Sequence, residues 1–307
     1  MDAISDEIIK DNYGIILVAS GDGGIRSLQE QLINKDPEST QSKLPKRLVG
    51  LLPGGTGNAY AYGPEGKIDV TAALFKALEI PNRRDLLYKQ IPVLKIETID
   101  LKGKTSTTFG TFTGQGWDSM IQEDYERMFP GKGLLGYVGA GTLGLFARTL
   151  FKAKADPVSI TFPTSKVYQV IKGDVITELT EVQTSKKDFV EGESVNAVVA
   201  GTSPNYGYGM IAFPLADYAT SLGMMHLRII TGTPHKSARK LIWNAKKAFK
   251  GEYFPDYCKE ILAEEVLVQT PKGLSFQNTG DPEGKMVQVR YTVSPHKLNL
   301  IDFPAML

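Results

Sequence analysis

The sequence predicts an α/β nucleotide-binding domain followed by a mainly antiparallel β-sandwich domain with inserted helices. Three observations predict it. Up to about Lys89, short apolar runs alternate with helical patterns in strand, helix, strand, helix order, the mark of a parallel sheet. The first two strands each run into a glycine-rich turn, Ser20-Gly21-Asp22-Gly23-Gly24 and Pro53-Gly54-Gly55-Thr56-Gly57-Asn58. From Ile91 onward, short β-patterned segments separated by turns dominate.

In order along the chain, Tyr13 to Ala19, with its Ile-Ile-Leu-Val core, reads as a buried parallel strand. A helix over Ile25 to Asn34, a strand over Leu48 to Leu52 and a helix over Val70 to Leu78 complete the α/β part. The β-rich part is read as strands at Val93 to Thr98, Thr107 to Thr113, Val158 to Phe162, Val167 to Val170, Asn196 to Ala200, Met225 to Ile230, Val266 to Thr270 and Met286 to Val293. Helices over Gly133 to Ala153 and Ser237 to Lys250 interrupt it, and the polar Thr184 to Glu193 stretch reads as a loop. The expected division is residues 1–89, joined by 297–307, and residues 90–296.

A chain of 307 residues exceeds the size at which one core is comfortable, and 42% hydrophobic residues can fill two. Lys and Arg number 35 against 34 Asp and Glu, so the net charge of +1 gives no general attraction to nucleic acid. The lone Cys258 excludes an intramolecular disulfide and fits a reducing compartment, with a buried thiol as the ordinary role. No apolar run approaches the roughly 20 residues of a membrane span. A cytoplasmic protein that visits membranes peripherally is the expectation.

Glycines without side chains let backbone N–H groups approach a polyphosphate, and a helix opening just after them favours negative charge. In open α/β sheets ligands bind beyond the carboxyl ends of the strands, so both turns are expected to face one crevice. Ser20, Gly21, Asp22, Gly23 and Gly24 are then candidates for a nucleotide such as ATP, with Gly54, Gly55, Thr56, Gly57 and Asn58. His226, His235 and His296 lack metal-ligand spacing.

These blocks resemble the lipid kinases related to diacylglycerol kinase and sphingosine kinase, whose catalytic domain is distantly similar to that of NAD kinases. The family's G-G-D-G-T block is matched at residues 20–24 and its P-x-G-T-G-N block at 53–58. Its G-x-G-F-D block is matched by Gly114-Gln115-Gly116-Trp117-Asp118. Its glycines ahead of Pro-x-Ala are matched by Tyr206-Gly207-Tyr208-Gly209-Met210 and Pro214-Leu215-Ala216. The resemblance implies transfer of the γ-phosphoryl group of ATP to a lipid hydroxyl with Mg²⁺. It also implies a nucleotide-loop role for Asp22, in holding the metal or aligning the acceptor, and a place near the acceptor headgroup for Asp118. Trp117 would line the lipid mouth or belong to the core, and the helix from Gly133 would lie beside an acyl pocket or be an ordinary packed core helix.

The chain departs from the family at Ser27, at Glu30-Gln31, at Leu222-Gly223 and at Met225-His226. The family's D-G-E/D-P block reads Thr279-Gly280-Asp281-Pro282, so Thr279 stands at the general-base position and Asp281 is the carboxylate left in that block. Only Met1 to Asn12 precede the first strand, where the family has a longer segment, so the nucleotide domain is either cut down or the chain is a piece of a longer reading frame.

Arg239, Lys240, Lys246, Lys247 and Lys250 around Trp243 give the second helix a basic amphipathic face suited either to solvent or to an anionic membrane surface. The expected partners are a lipid substrate, a transiently visited membrane surface and, as an open alternative, a second copy in a homodimer; nucleic acid is not among them. Beside the lipid kinase stand two alternatives, a relative that binds lipid or nucleotide without turnover and a soluble-substrate kinase in the manner of NAD kinase.

Overall fold

The computed structural model describes residues 2–42, 46–53, 62–63, 66–67, 69–79, 87–150, 157–164, 166–171, 175–178, 190, 194–207, 209–251 and 257–302. They fall into two compact units. The first comprises residues 1–93, 207–209 and 294–307, the second 94–206 and 210–293.

In the first unit α1 (Asp2–Lys10) leads to β1 (Ile15–Ser20), α2 (Asp22–Lys35), the short α3 (Pro37–Gln41) and β2 (Leu48–Pro53). The two-residue strands β3 (Tyr62–Gly63) and β4 (Gly66–Lys67) and helix α4 (Val70–Glu79) follow. β1 and β2 run parallel from Ile15 opposite Leu48 to Ser20 opposite Pro53. The end of the last strand, β17 (Asp281–Ile301), joins β2 in parallel, with Leu300 opposite Val49. Parallel strands need a crossover, and α2 supplies it, burying Ile25, Leu28, Gln29, Leu32 and Ile33 at the spacing of one helical stripe.

β1 is less buried than its apolar run predicts. Ile16 is buried, but Ile15 and Leu17 are 41% and 43% exposed. Among the described residues β1 pairs with β2 alone, which makes it an edge strand with one open face. In the same unit Thr40 Oγ1 lies 2.8 Å from His296 Nδ1, so His296 serves a structural contact.

The second unit takes in most of β5 (Tyr88–Asp100), then β6 (Thr105–Gly110), β7 (Phe112–Gly116), α5 (Trp117–Met128) and α6 (Gly133–Leu150). Next come β8 (Ser159–Thr161), β9 (Val167–Ile171), β10 (Val175–Glu178), β11 (Val195–Gly201), β12 (Asn205–Gly207) and β13 (Met210–Ile211). The unit continues with α7 (Ala216–Ser221), β14 (Met225–Thr231), α8 (Pro234–Trp243), α9 (Ala245–Phe249), β15 (Cys258–Ala263) and β16 (Glu265–Asn278). Its strands lie in the order β17-β16-β7-β11-β14-β15-β9-β10, and every neighbouring pair is antiparallel.

Inward residues of β5, β8 and β16, such as Leu94, Ile160 and Phe276, share one cluster with Val198 of β11, Ile229 of β14 and Ile261 of β15. The opposite face of the β11 and β14 region is covered by helices, where Trp117 of α5 and Ala238 of α8 pack on Ala197. The strand expected over Thr107 to Thr113 breaks at Thr111 into β6 and β7, and the segments expected at Val266 and Met286 extend into the long hairpin of β16 and β17. The helix expected over Ser237 to Lys250 is two helices, divided at Asn244. Apart from Val190, the Thr184 to Glu193 stretch lies outside the described residues, as do 151–153 of the expected Gly133 helix.

One buried charged group ties the sheet to the segment that follows β13. Arg228 Nη2 donates to Glu260 Oε1 at 3.1 Å, and its Nη1 donates to the Ala212 carbonyl. His226 Nε2 lies 3.4 Å from Glu260 Oε2. Burial works against the Glu260 carboxylate, yet the hydrogen bonds and charges of His226 and Arg228 hold it below its ordinary value. Burial pushes His226 down and raises the nearby Cys258 thiol. Replacing Arg228 by Ala leaves Glu260 enclosed without its partner, and urea melts are expected to show a loss of about 3–5 kcal/mol. The double variant R228A/E260A should recover a large part of that loss.

Candidate active site

The first glycine block is tighter than a loop. Only Gly21 separates β1 from α2, and Asp22, Gly23 and Gly24 form the first turn of the helix. The amides of Gly24 and Ile25 turn back to the Gly21 carbonyl, at 3.2 and 3.4 Å. Asp22 is the first helical residue rather than its cap, and its negative charge sits at the favourable end of the helix dipole. The Ser20 side chain occupies the place a Cβ on Gly24 would need. In the second block, Gly54, Gly55, Thr56, Gly57 and Asn58 lie outside the described residues.

The third block builds the best-defined polar site. β7 ends at Gly116, where a φ of 75° turns the chain directly into α5. Helical side chains lean toward the helix N-terminus, so Asp118, second in α5, reaches back over the strand it has just left. Its carboxyl group fills the space beside Gly114, where any Cβ would collide with it. The G-x-G-aromatic-D pattern is thus a steric unit: one glycine admits the carboxylate and the other makes the turn. Trp117 points the other way and is buried in the core, so it does not line a mouth.

Two donors hold Asp118. Tyr206 Oη donates to Oδ1 at 2.5 Å, and Gln277 Nε2 donates to Oδ2 at 2.9 Å while lying 3.0 Å from Tyr206 Oη. Gln277 is fixed in turn, its Oε1 accepting the Gly280 N–H at 2.7 Å. Thr113 donates its hydroxyl to the Gln277 carbonyl at 2.8 Å. The Tyr206 ring packs on Phe112 with centroids 4.7 Å apart. Asp118 is crowded by protein on most sides and still reached by solvent. Burial raises its carboxyl above the ordinary carboxylate range, although the Tyr206 and Gln277 hydrogen bonds pull the other way. Burial and the Asp118 charge push the Tyr206 phenol well up, with Tyr137 of α6 beside it, so Tyr206 remains a donor at neutral pH.

Thr279 and Gly280 form the two-residue turn between β16 and β17, with Asn278 opposite Asp281. Their φ values of 50° and 87° are those of a hairpin turn that favours Asn-Gly or Asp-Gly. Thr279 is 1% exposed, and its hydroxyl donates to Asn278 Oδ1 at 3.1 Å. At this position it is a packed donor rather than a proton acceptor. Asp281 stands at the start of β17, and after burial and an opposing Gln122 hydrogen bond its charge contributes to raising the Glu126 carboxyl.

Of the residues predicted from sequence, the structure joins Asp118 to Tyr206 and sets Asp281 near Glu126, while Asp22 belongs to the first unit. Gln277 and Glu126 were not anticipated. A signal for Gln277 does exist: it is a polar residue two places before Thr279 in an otherwise strand-like run. Among the described residues no group of three or more His, Cys, Asp or Glu is placed to hold a metal ion.

The raised carboxyl gives a pH signature. Because the folded state holds the Asp118 proton more tightly than the unfolded chain, that proton stabilises the fold at low pH, and the contribution fades as pH rises through the folded value. The melting temperature of Asp118→Asn relative to the parent is therefore expected to be highest at neutral pH and to fall toward the parent's as pH drops into the carboxylate range.

Comparison with known proteins bears on the first glycine-rich part and on the fold. Residues 1–85, which contain both glycine blocks, match the diacylglycerol kinase catalytic domain. No curated protein matches the chain by sequence. Among solved structures, one described as "A putative diacylglycerol kinase from Bacillus anthracis str. Sterne" is 17% identical with a TM-score of 0.57, covering 100% of this chain and 83% of that one. A second, described as a diacylglycerol kinase from the same organism, is 13% identical with a TM-score of 0.50, covering 100% and 84%. At such identities the likeness establishes the fold, an α/β part followed by an antiparallel part. The chain is thus similar over its first 85 residues to the diacylglycerol kinase catalytic domain, and it shares the fold of these solved structures.

Proposed function

We propose that this chain is an ATP-dependent lipid kinase that transfers the γ-phosphoryl group to a lipid hydroxyl, that of diacylglycerol or a sphingoid base. The observation that carries the proposal is a raised, doubly hydrogen-bonded Asp118 carboxylate in a chain whose first 85 residues match a kinase catalytic domain. In such a transfer the acceptor oxygen bonds to the γ-phosphorus as the bridging P–O bond breaks. ADP leaves, and the hydroxyl proton passes to a base. Each Asp118 oxygen keeps a lone pair beyond the one given to Tyr206 or Gln277, so the carboxylate can orient the acceptor hydroxyl and accept its proton.

The open end of α2 fits a polyphosphate because Gly21 and Gly23 present backbone without side chains, and Asp22 is the residue that would hold Mg²⁺. The ion, when bound, neutralises charge on the phosphate oxygens. The 53–58 block would share the nucleotide, and Asp281 is assigned a supporting acidic role.

A second reading, binding without turnover, is favoured by one observation. At the family's base position this chain has Thr279, whose buried hydroxyl is already donated.

The test is transfer of label from [γ-³²P]ATP with Mg²⁺ to a panel of diacylglycerols and sphingoid bases. The kinase reading expects labelled lipid, reduced at least about 100-fold by Asp22→Ala and by Asp118→Asn. Saturable ATP binding with no labelled lipid, and label appearing only in Thr279→Asp, would establish the binding-only reading. Absence of ATP binding by the folded chain would remove the kinase reading and leave only lipid binding of the second.

A further inference from the structure

Helix α6 is built inside out. Gly136, Ala140 and Gly144 are its buried stripe, while Leu134, Leu135, Val138 and Leu143 face outward at 40%, 85%, 52% and 51% exposure. A helix on a water-soluble unit normally does the reverse. Gly136 lets α6 lie close against α5, since a Cβ there would fall 3.0 Å from the Tyr125 ring and 2.9 Å from the Phe129 Cβ.

Helix α8 packs beside α6. Its Ala238 is buried, and Leu241 and Ile242 pack toward the core. Lys236, Arg239, Lys240 and Trp243 recur at helical spacing on the exposed side, with Trp243 88% exposed. Charge on this surface has one sign. Residues 218–251 contain no Asp or Glu, and α8 with α9 and its flank carries six bases: Lys236, Arg239, Lys240, Lys246, Lys247 and Lys250. Residues 128–155, which span α6, also contain no acid.

We infer that the outward faces of α6 and α8 form a docking surface for an anionic lipid bilayer. Exposed aliphatic side chains on α6 suit insertion among acyl chains, a fully presented indole suits the headgroup level, and the acid-free run of bases on α8 and α9 suits an anionic surface. Among the described residues no helix is long and apolar enough to cross a membrane, so α6 and α8 lie in the plane of the bilayer. The inner side of α6 carries Tyr137 to Tyr206, so the docking helix borders the Asp118 site. The surface deepens the lipid-kinase reading without depending on it, because binding is measured without nucleotide or turnover.

The experiment is flotation of the full chain with vesicles of phosphatidylcholine alone and with about one-third phosphatidylserine. Binding to the anionic vesicles is expected to be at least about tenfold tighter and to weaken with added salt. The double variant L135S/W243A should lose about tenfold on anionic vesicles, and R239Q/K240Q/K246Q should bind both vesicle types alike. Should a variant fail to fold, the parent chain still decides the matter. Of its two tryptophans Trp117 is buried, so a blue shift of emission on adding anionic vesicles reports Trp243 entering lipid. Equal binding by parent and folded variants, no blue shift, or capture by poly-glutamate but not by vesicles would overturn the inference.

Discussion

A carboxylate enclosed by protein is unfavourable unless donors face it, and the architecture around Asp118 answers that requirement step by step. Gly114 leaves the room, the turn at Gly116 aims the side chain, and Tyr206 and Gln277 supply the hydrogen bonds. Each donor is itself secured. Gln277 is pinned by the Gly280 amide across the β16–β17 hairpin, and Tyr206 is wedged between Phe112 and Phe213. Phe213 rests edge-on against His226, whose neighbours Arg228 and Glu260 lie in the middle of the sheet. An unbroken set of packed and hydrogen-bonded groups therefore runs from the sheet interior to one carboxyl group.

Much of this was legible in the sequence, for reasons that differ between the parts. The parallel strands at Ile15 and Leu48 were readable because short apolar runs flanked by glycine have few alternatives, and α2 because Ile25, Leu28, Leu32 and Ile33 keep helical spacing. The site around Asp118 was legible as a motif, but its reason was not. That Gly114 must be bare because Asp118 folds back onto it depends on a turn that spacing alone does not reveal. Gln277 was hidden because nothing in a strand pattern says which polar residue will be paired and buried.

Other elements escaped for physical reasons. Helix α5 was not among the expected elements, although it carries Trp117, Met120, Ile121 and Tyr125 at helical spacing, because its many acidic residues and its start directly after a glycine turn obscure the pattern. The exposure of Ile15 and Leu17 could not be foreseen, since a strand's composition does not say whether it lies at the edge of its sheet. The inversion of α6 was equally hidden. Its glycine and leucine content reads as a core helix, and only the packing shows that the glycines took the inside.

That choice has a mechanical consequence. Where large side chains interlock, a helix is held in register by knobs that must climb over one another. Gly136, Ala140 and Gly144 present a nearly smooth flank instead. The same glycines weaken the helix on its own by about 1 kcal/mol each relative to alanine, so α6 owes its persistence to contact rather than to intrinsic propensity.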